Sequence, residues 1–245
     1  MIYSKEVYYL YTKIALKAHD LGYGPLRDCF LHFTPLFTRI AHTNDKDPNT
    51  QFEELFKKID SVGSSKCEEI TELIYKFFIN IQELGFPKEP SGLVGVFYTI
   101  YYPKFKNLGI HFYLPPDLKS SPFLIQSLNQ RQYELKELFK KARIDYPQAE
   151  RVRGFSWLHN MDFYKRIFPT FYYNKGTISA KDYYGSNAYW GQFVNRDGSC
   201  RKDSANKFLN CLDTKKNLAT LTECFPLKGL EVICDIKYFY DFYGV

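Results

Sequence analysis

The chain has 245 residues, with 33 Lys and Arg against 27 Asp and Glu for a net charge of +6, 45% apolar positions and 18% aromatic ones. That is chain enough for one large domain or two small ones with a real core, and the composition excludes a disordered, collagen-like or disulfide-scaffold protein. No run approaches the roughly 18 uninterrupted apolar residues of a membrane span, and Lys5, Glu6, Lys13 and Lys17 break up the first apolar stretch, so neither a signal peptide nor an anchor is read there.

The first third is helical in pattern. Ser4 stands where a cap belongs, Val7, Leu10, Tyr11, Ile14, Ala18 and Leu21 follow the 3.6 period, and Gly22 is placed for a C-terminal stop. A second helix starts at Pro25 with Leu26, Cys29, Phe30 and Phe33 on one side, and Pro35 breaks it before Leu36, Phe37 and Ile40. After a polar loop over 42–49, Thr50 with Glu53 reads as a capping box for a helix burying Phe52, Leu55, Phe56 and Ile59. Ser65 with Glu68 opens a further helix over 66–84, which Gly85 and Pro87 end. The run 88–92 is the best boundary, so residues 1–90 form a helical region and 91–245 a mixed α/β domain.

Beyond it the residues turn β-like. Strands are predicted over 93–100 and over 108–114, the latter ending at Pro115 and Pro116. Ser121 and Pro122 open a long helix carrying Leu128, Leu135, Leu138, Phe139 and Ala142, and a third strand follows over 151–158. Strand, helix, strand makes one βαβ unit and a parallel pair. Asn160 caps a short helix stopped by Pro169, a loop surrounds Gly176, and a strand is predicted from Tyr189 to Val194 before the turn at 195–198. Helices near 203–213 and over Leu230, Ile233, Ile236 and Tyr240 complete an α/β fold of the α+β kind: a helical N-terminal part, then a mixed sheet with flanking helices.

Six cysteines at 29, 67, 200, 211, 224 and 234 show neither CxxC nor a zinc spacing, so reduced thiols and a cytoplasmic setting are the default, and no metal site is read. The whole positive excess arises after residue 119, which suggests an anionic partner: a small molecule, a nucleic acid or a lipid surface. No Walker A or GxGxxG sequence occurs. Arg151-Val152-Arg153-Gly154-Phe155-Ser156 approaches a pyrophosphate-binding loop of acyl-CoA-dependent acyltransferases but reads as strand, which makes Arg151, Arg153 and Gly154, with Arg166 nearby, the candidate cofactor-binding residues. At the end of that strand His159 and Tyr164 are candidates to handle a proton. The plainer alternative makes Trp157 core, Asn160 a cap and His159 a loop residue. Trp157, Trp190, Gln192 and Arg196 are candidate substrate contacts, and again a core strand with a tight turn is the alternative.

The segments RVRGFSWLHNMDFYKRIFP over 151–169, YWGQFVNRDG over 189–198 and the closing FYDFYGV resemble a family of uncharacterised bacterial proteins across about 140 residues, which brings no activity with it. More distantly, LGIHFYL, a long helix, GFSWL and a short helix ending in Pro resemble the C-terminal part of GNAT-like acyltransferase-domain proteins, with Phe155 where those carry His. That likeness implies a mixed sheet, an acyl-CoA ligand and acyl transfer. The alternative is a non-catalytic interaction protein that binds a protein or nucleic acid through a basic, aromatic-rich surface, although no RRM, KH or OB signature is present. GxSxG and HExxH are lacking, which disfavours a hydrolase.

Overall fold

The computed structural model describes residues 3–41, 47–63, 66–82, 90–113, 122–180 and 184–245. Five helices come first: α1 (Lys5–Asp20), α2 (Leu26–Phe33), α3 (Leu36–Ala41), α4 (Pro48–Val62) and α5 (Cys67–Gln82). There follow β1 (Phe97–Tyr102), β2 (Asn107–Phe112), α6 (Leu128–Asp145), β3 (Arg151–Ser156), α7 (Asp162–Lys165), α8 (Phe171–Asn174) and β4 (Thr177–Ala180). The chain ends with α9 (Asn187–Trp190), α10 (Lys202–Thr214), β5 (Leu230–Asp235) and α11 (Ile236–Tyr243). Among the described residues no helix is long and apolar enough to cross a membrane. Residues 1–88 with 182–227 form one compact unit, and 89–181 with 228–245 a second.

Among its described residues the first unit is helices and turns with one isolated β-bridge between Val194 and Cys200. Helix α1 is buried on most sides, from Val7 and Tyr8 through Ile14 to Ala18, because α2, α5 and α10 all pack against it. Ser4 stands at its N-cap and Gly22, at φ +81°, follows its last turn, so both ends match the sequence pattern. Tyr11 meets the Trp190 indole edge-on at 4.6 Å, and Phe193, Phe208 and Phe225 close around the same indole. This aromatic set draws residues 182–227 into the helical unit, whereas sequence pattern alone kept them with the sheet. Each large side chain buried there stabilises by about 1.5–3 kcal/mol.

The second unit holds a five-stranded mixed sheet in the order β1-β2-β3-β5-β4. The pair β2 and β3 is parallel and α6 makes the crossover, as the βαβ reading requires, while the other pairings are antiparallel. Alternation sends Phe97, Leu108, Val152, Val232 and Cys234 to one face, where all are buried. Tyr101 on this face stacks on Tyr146, and Phe112 meets Tyr164 of α7 edge-on. On α6, Phe139 stacks on Phe239 and Tyr243 of α11. Gly95 sits at φ +60°, and a Cβ built on it lies 1.9 Å from Glu134 Cδ, so glycine is the residue that lets this turn close on α6.

Several local expectations are corrected. Residues 187–193 are helical rather than a strand, because Trp190 and Phe193, three apart, enter the same core. Leu230–Asp235 is a strand between β3 and β4, and helix begins only at Ile236, although Leu230, Ile233 and Ile236 share helical spacing. The stretch after Gly176 is edge strand β4, not loop. Helix α4 is capped by Asp47, whose carboxylate accepts from Asn49 N at 3.4 Å and Thr50 N at 2.9 Å, so Thr50 lies inside the helix. Cys211 and Cys224, read as reduced thiols, are joined as a disulfide between α10 and the 3-10 turn Leu218–Cys224. The Ser65 cap, the Gly85 and Pro87 stop, the Pro115–Pro116 strand end and Ser121 lie outside the described residues.

Candidate functional site

The candidate proton-handling residues lie together in the second unit, at the end of β3. Ser156 leaves the strand and accepts a hydrogen bond from Leu158 N at 3.1 Å, turning the chain into a 3-10 segment that carries His159 inward. His159 is 2% exposed, and its Nδ1 lies 2.9 Å from the Tyr173 hydroxyl. Tyr164, Tyr172 and Phe168 surround the ring, with Tyr164 edge-on at 5.2 Å. Burial, assisted by the nearby Lys165 charge, pushes the imidazole pKa down to about 3. Burial likewise holds the Tyr164, Tyr172 and Tyr173 hydroxyls well above their usual range, and Tyr172 donates to Val232 O at 3.2 Å. At neutral pH every member is therefore uncharged, and His159, hydrogen-bonded to Tyr173 and packed edge-on against Tyr164, forms a closed plug beneath the sheet.

Gly154 explains why that plug fits. A Cβ built on it lies 2.7 Å from the Tyr172 hydroxyl and 2.9 Å from His159 Nε2, so the glycine admits two rings against β3 rather than a phosphate. The segment Arg151–Ser156 pairs with β2 on one side and β5 on the other, so its backbone is engaged in the sheet ladder. Arg153 points to the opposite face, where its Nε donates to Glu231 Oε1 at 2.6 Å and its guanidinium lies 5.8 Å from the Tyr102 ring centre. Arg151 is exposed on that same face, and Arg166 is exposed beyond α7. The four proposed cofactor residues thus do not converge.

The candidate substrate contacts divide between the units. Trp157 is buried in the second. Trp190, Gln192 and Arg196 belong to the first. Trp190 is 1% exposed and donates from Nε1 to Tyr184 O at 2.9 Å. Gln192 is an internal strut, donating to Tyr189 O at 2.8 Å and Leu227 O at 3.1 Å and accepting from Leu227 N at 2.9 Å. Arg196 is half-buried beside the 195–198 turn.

The face of the sheet turned away from Gly154 differs from the covered one. Strand register places Tyr98, Ile100 and Tyr102 of β1, His111 of β2, Arg151 and Arg153 of β3, and Ile233 and Asp235 of β5 on it. The helices α6, α7, α8 and α11 are engaged on the other side. Ile100 is 41% exposed, Tyr98 and Tyr102 are half-buried, and Tyr98 stacks on His111 with ring centres 5.2 Å apart. Beside Arg151 opens a cleft of about 270 Å³, lined by Arg151, Lys175, Thr177, Ile233, Cys234, Asp235 and Tyr238, so residues from both faces of the sheet border it. Lys175 lies 4.5 Å from the Tyr238 ring centre. Sequence reasoning found Arg151 but missed Lys175 and Tyr238, because only strand pairing places the start of β4 and the first turn of α11 beside it. Among the described residues no three His, Cys, Asp or Glu side chains gather as a metal site.

No family model, curated protein or solved structure matches this chain. The functional reading therefore rests on the arrangement of its own residues.

Proposed function

We propose that this chain is a non-catalytic interaction protein that holds single-stranded nucleic acid along the sheet face that carries Tyr98, Ile100 and Tyr102, with the Arg151 and Lys175 cleft receiving phosphate. The observation that carries this reading is that the Tyr98, Ile100 and Tyr102 row on β1 and Arg151 on β3, two strands away, lie on one sheet face, with Arg151 and Lys175 in a cleft beyond. Aromatic rings stack on bases without regard to sequence, at about 1–3 kcal/mol per base, while cationic side chains track the backbone. Asp235 also lines the cleft and its charge opposes phosphate, so the attraction there comes from Arg151 and Lys175 against that carboxylate. The acyl-CoA reading draws less support: the segment that resembles its pyrophosphate loop is spent in strand pairing, and His159 is closed away from solvent. As for setting, the Cys211–Cys224 bond speaks for an oxidising environment rather than the reducing cytoplasm.

Fluorescence anisotropy with a labelled 15-nucleotide oligothymidylate tests the proposal. Binding should weaken as salt rises, and Tyr98→Ala and Arg151→Ala should each weaken it several-fold. An absence of binding at tens of micromolar protein in low salt, or binding indifferent to both substitutions, overturns it.

A further inference from the structure

A second feature of the sheet unit lies away from that face. Arg131 on α6 has a side chain only 6% exposed, and its Nη2 pairs with Glu134 Oε1 at 3.0 Å. Among the described residues its Nε and Nη1 are buried with no hydrogen-bond partner. A guanidinium whose Nε and Nη1 donors lack acceptors in the interior is costly, so an acceptor is expected there. The Glu134 carboxylate has other duties, accepting from Val96 N at 3.3 Å and from Gln130 Nε2 at 3.1 Å. Arg131 lines a pocket of about 30 Å³ together with Leu124, Ile125, Phe163 and Arg166.

The make-up of the pocket specifies its ligand. At roughly 10–15 Å³ for each water-sized group, the cavity accepts about two such groups, the size of a carboxylate head. Arg166 adds a second positive charge, whereas the neighbouring Glu134 opposes anything as highly charged as a phosphate dianion. Its rim is apolar and open to solvent: Ile125 is 76% exposed, Leu124 43% and Phe163 40%. A head that needs Arg and a surround that needs hydrocarbon belong to one molecule. We propose that this pocket binds a small amphipathic carboxylate of the fatty-acid class, the head accepting from Arg131 and the chain lying over Leu124, Ile125 and Phe163. This inference is independent of the nucleic-acid reading, since the two sites share no residue.

Thermal unfolding and titration calorimetry with octanoate, with acetate and octan-1-ol as controls, test it. Octanoate should raise Tm and bind at least tenfold more tightly than either control, because only it carries both head and chain. The double variant Arg131→Gln/Glu134→Gln, which removes the buried pair together, should abolish octanoate binding. Ile125→Ser at the exposed rim, which leaves the interior untouched, should weaken it several-fold. Octanol binding as well as octanoate, or octanoate leaving both Tm and heat unchanged, overturns the proposal and leaves water as the partner of Arg131.

Discussion

The burial of His159 makes a quantitative prediction about acid stability. The ring is 2% exposed and its folded pKa is pushed down to about 3, against about 6.5 for an exposed histidine. The unfolded chain therefore binds the proton more readily than the folded one throughout the interval from pH 6.5 to 3. Stability from this group is fully present above pH 6.5 and is lost as pH falls toward 3. Between pH 7 and pH 4 the loss amounts to roughly 3 kcal/mol, at about 1.4 kcal/mol for each pH unit of the window crossed. Carboxylates contribute to the same pH range, so the informative quantity is a difference. Urea unfolding of the parent chain and of His159→Phe at pH 7, 5.5 and 4 isolates it. The variant should lose stability at pH 7 through the orphaned Tyr173 hydroxyl, then show a pH slope shallower than the parent's by about 1 kcal/mol per unit. Parallel slopes would refute a buried, neutral His159.

Three further outcomes follow from the packing. Gly154→Ala should destabilise by about 1–3 kcal/mol in the same urea assay, since the new methyl group collides with Tyr172 and His159, and the companion variant Gly154→Ala/Tyr172→Phe should recover part of the loss. Reducing the Cys211–Cys224 bond, or replacing both cysteines by Ser, should cost about 3 kcal/mol on the loop-entropy estimate, and a Tm unmoved by reductant would show that the bond does not form in solution. Arg153→Met should destabilise by about 1–3 kcal/mol because it removes the cation that donates to the buried Glu231 carboxylate, whereas Arg151→Met at an exposed position should stay within about 0.5 kcal/mol; equal effects would dissolve the distinction between the two arginines.

Much of the fold was legible locally. Helical spacing from Val7 to Ala18, the Gly22 stop and the change to β-branched and aromatic residues after residue 92 are carried by neighbours along the chain, and they held. The strand, helix, strand succession from β2 to β3 likewise implies a parallel pair, which the sheet contains. Segments whose partners are distant in sequence were read less well. Leu230–Asp235 carries both a three-residue apolar spacing and β-branched residues, and pairing with β3 and β4 decides between them. For 189–194 the sequence pattern predicts a strand, and the aromatic core around Tyr11 and Trp190 selects helix over 187–193 instead.

The candidate site divides along the same line. Sequence by itself determined which residue types were available: a His and Tyr after an Arg-rich strand, an excess of basic groups beyond residue 119, and a chain rich in rings. Tertiary structure alone decided which of them face water. It turned His159 and Tyr164 inward past Gly154, coupled Arg153 to Glu231, enclosed Trp190 and Gln192, and left Arg131 Nε and Nη1 without acceptors among the described residues. The physical reason is that exposure and partnership belong to the way strands and helices stack, and a one-residue change of strand register would exchange the two faces of the sheet.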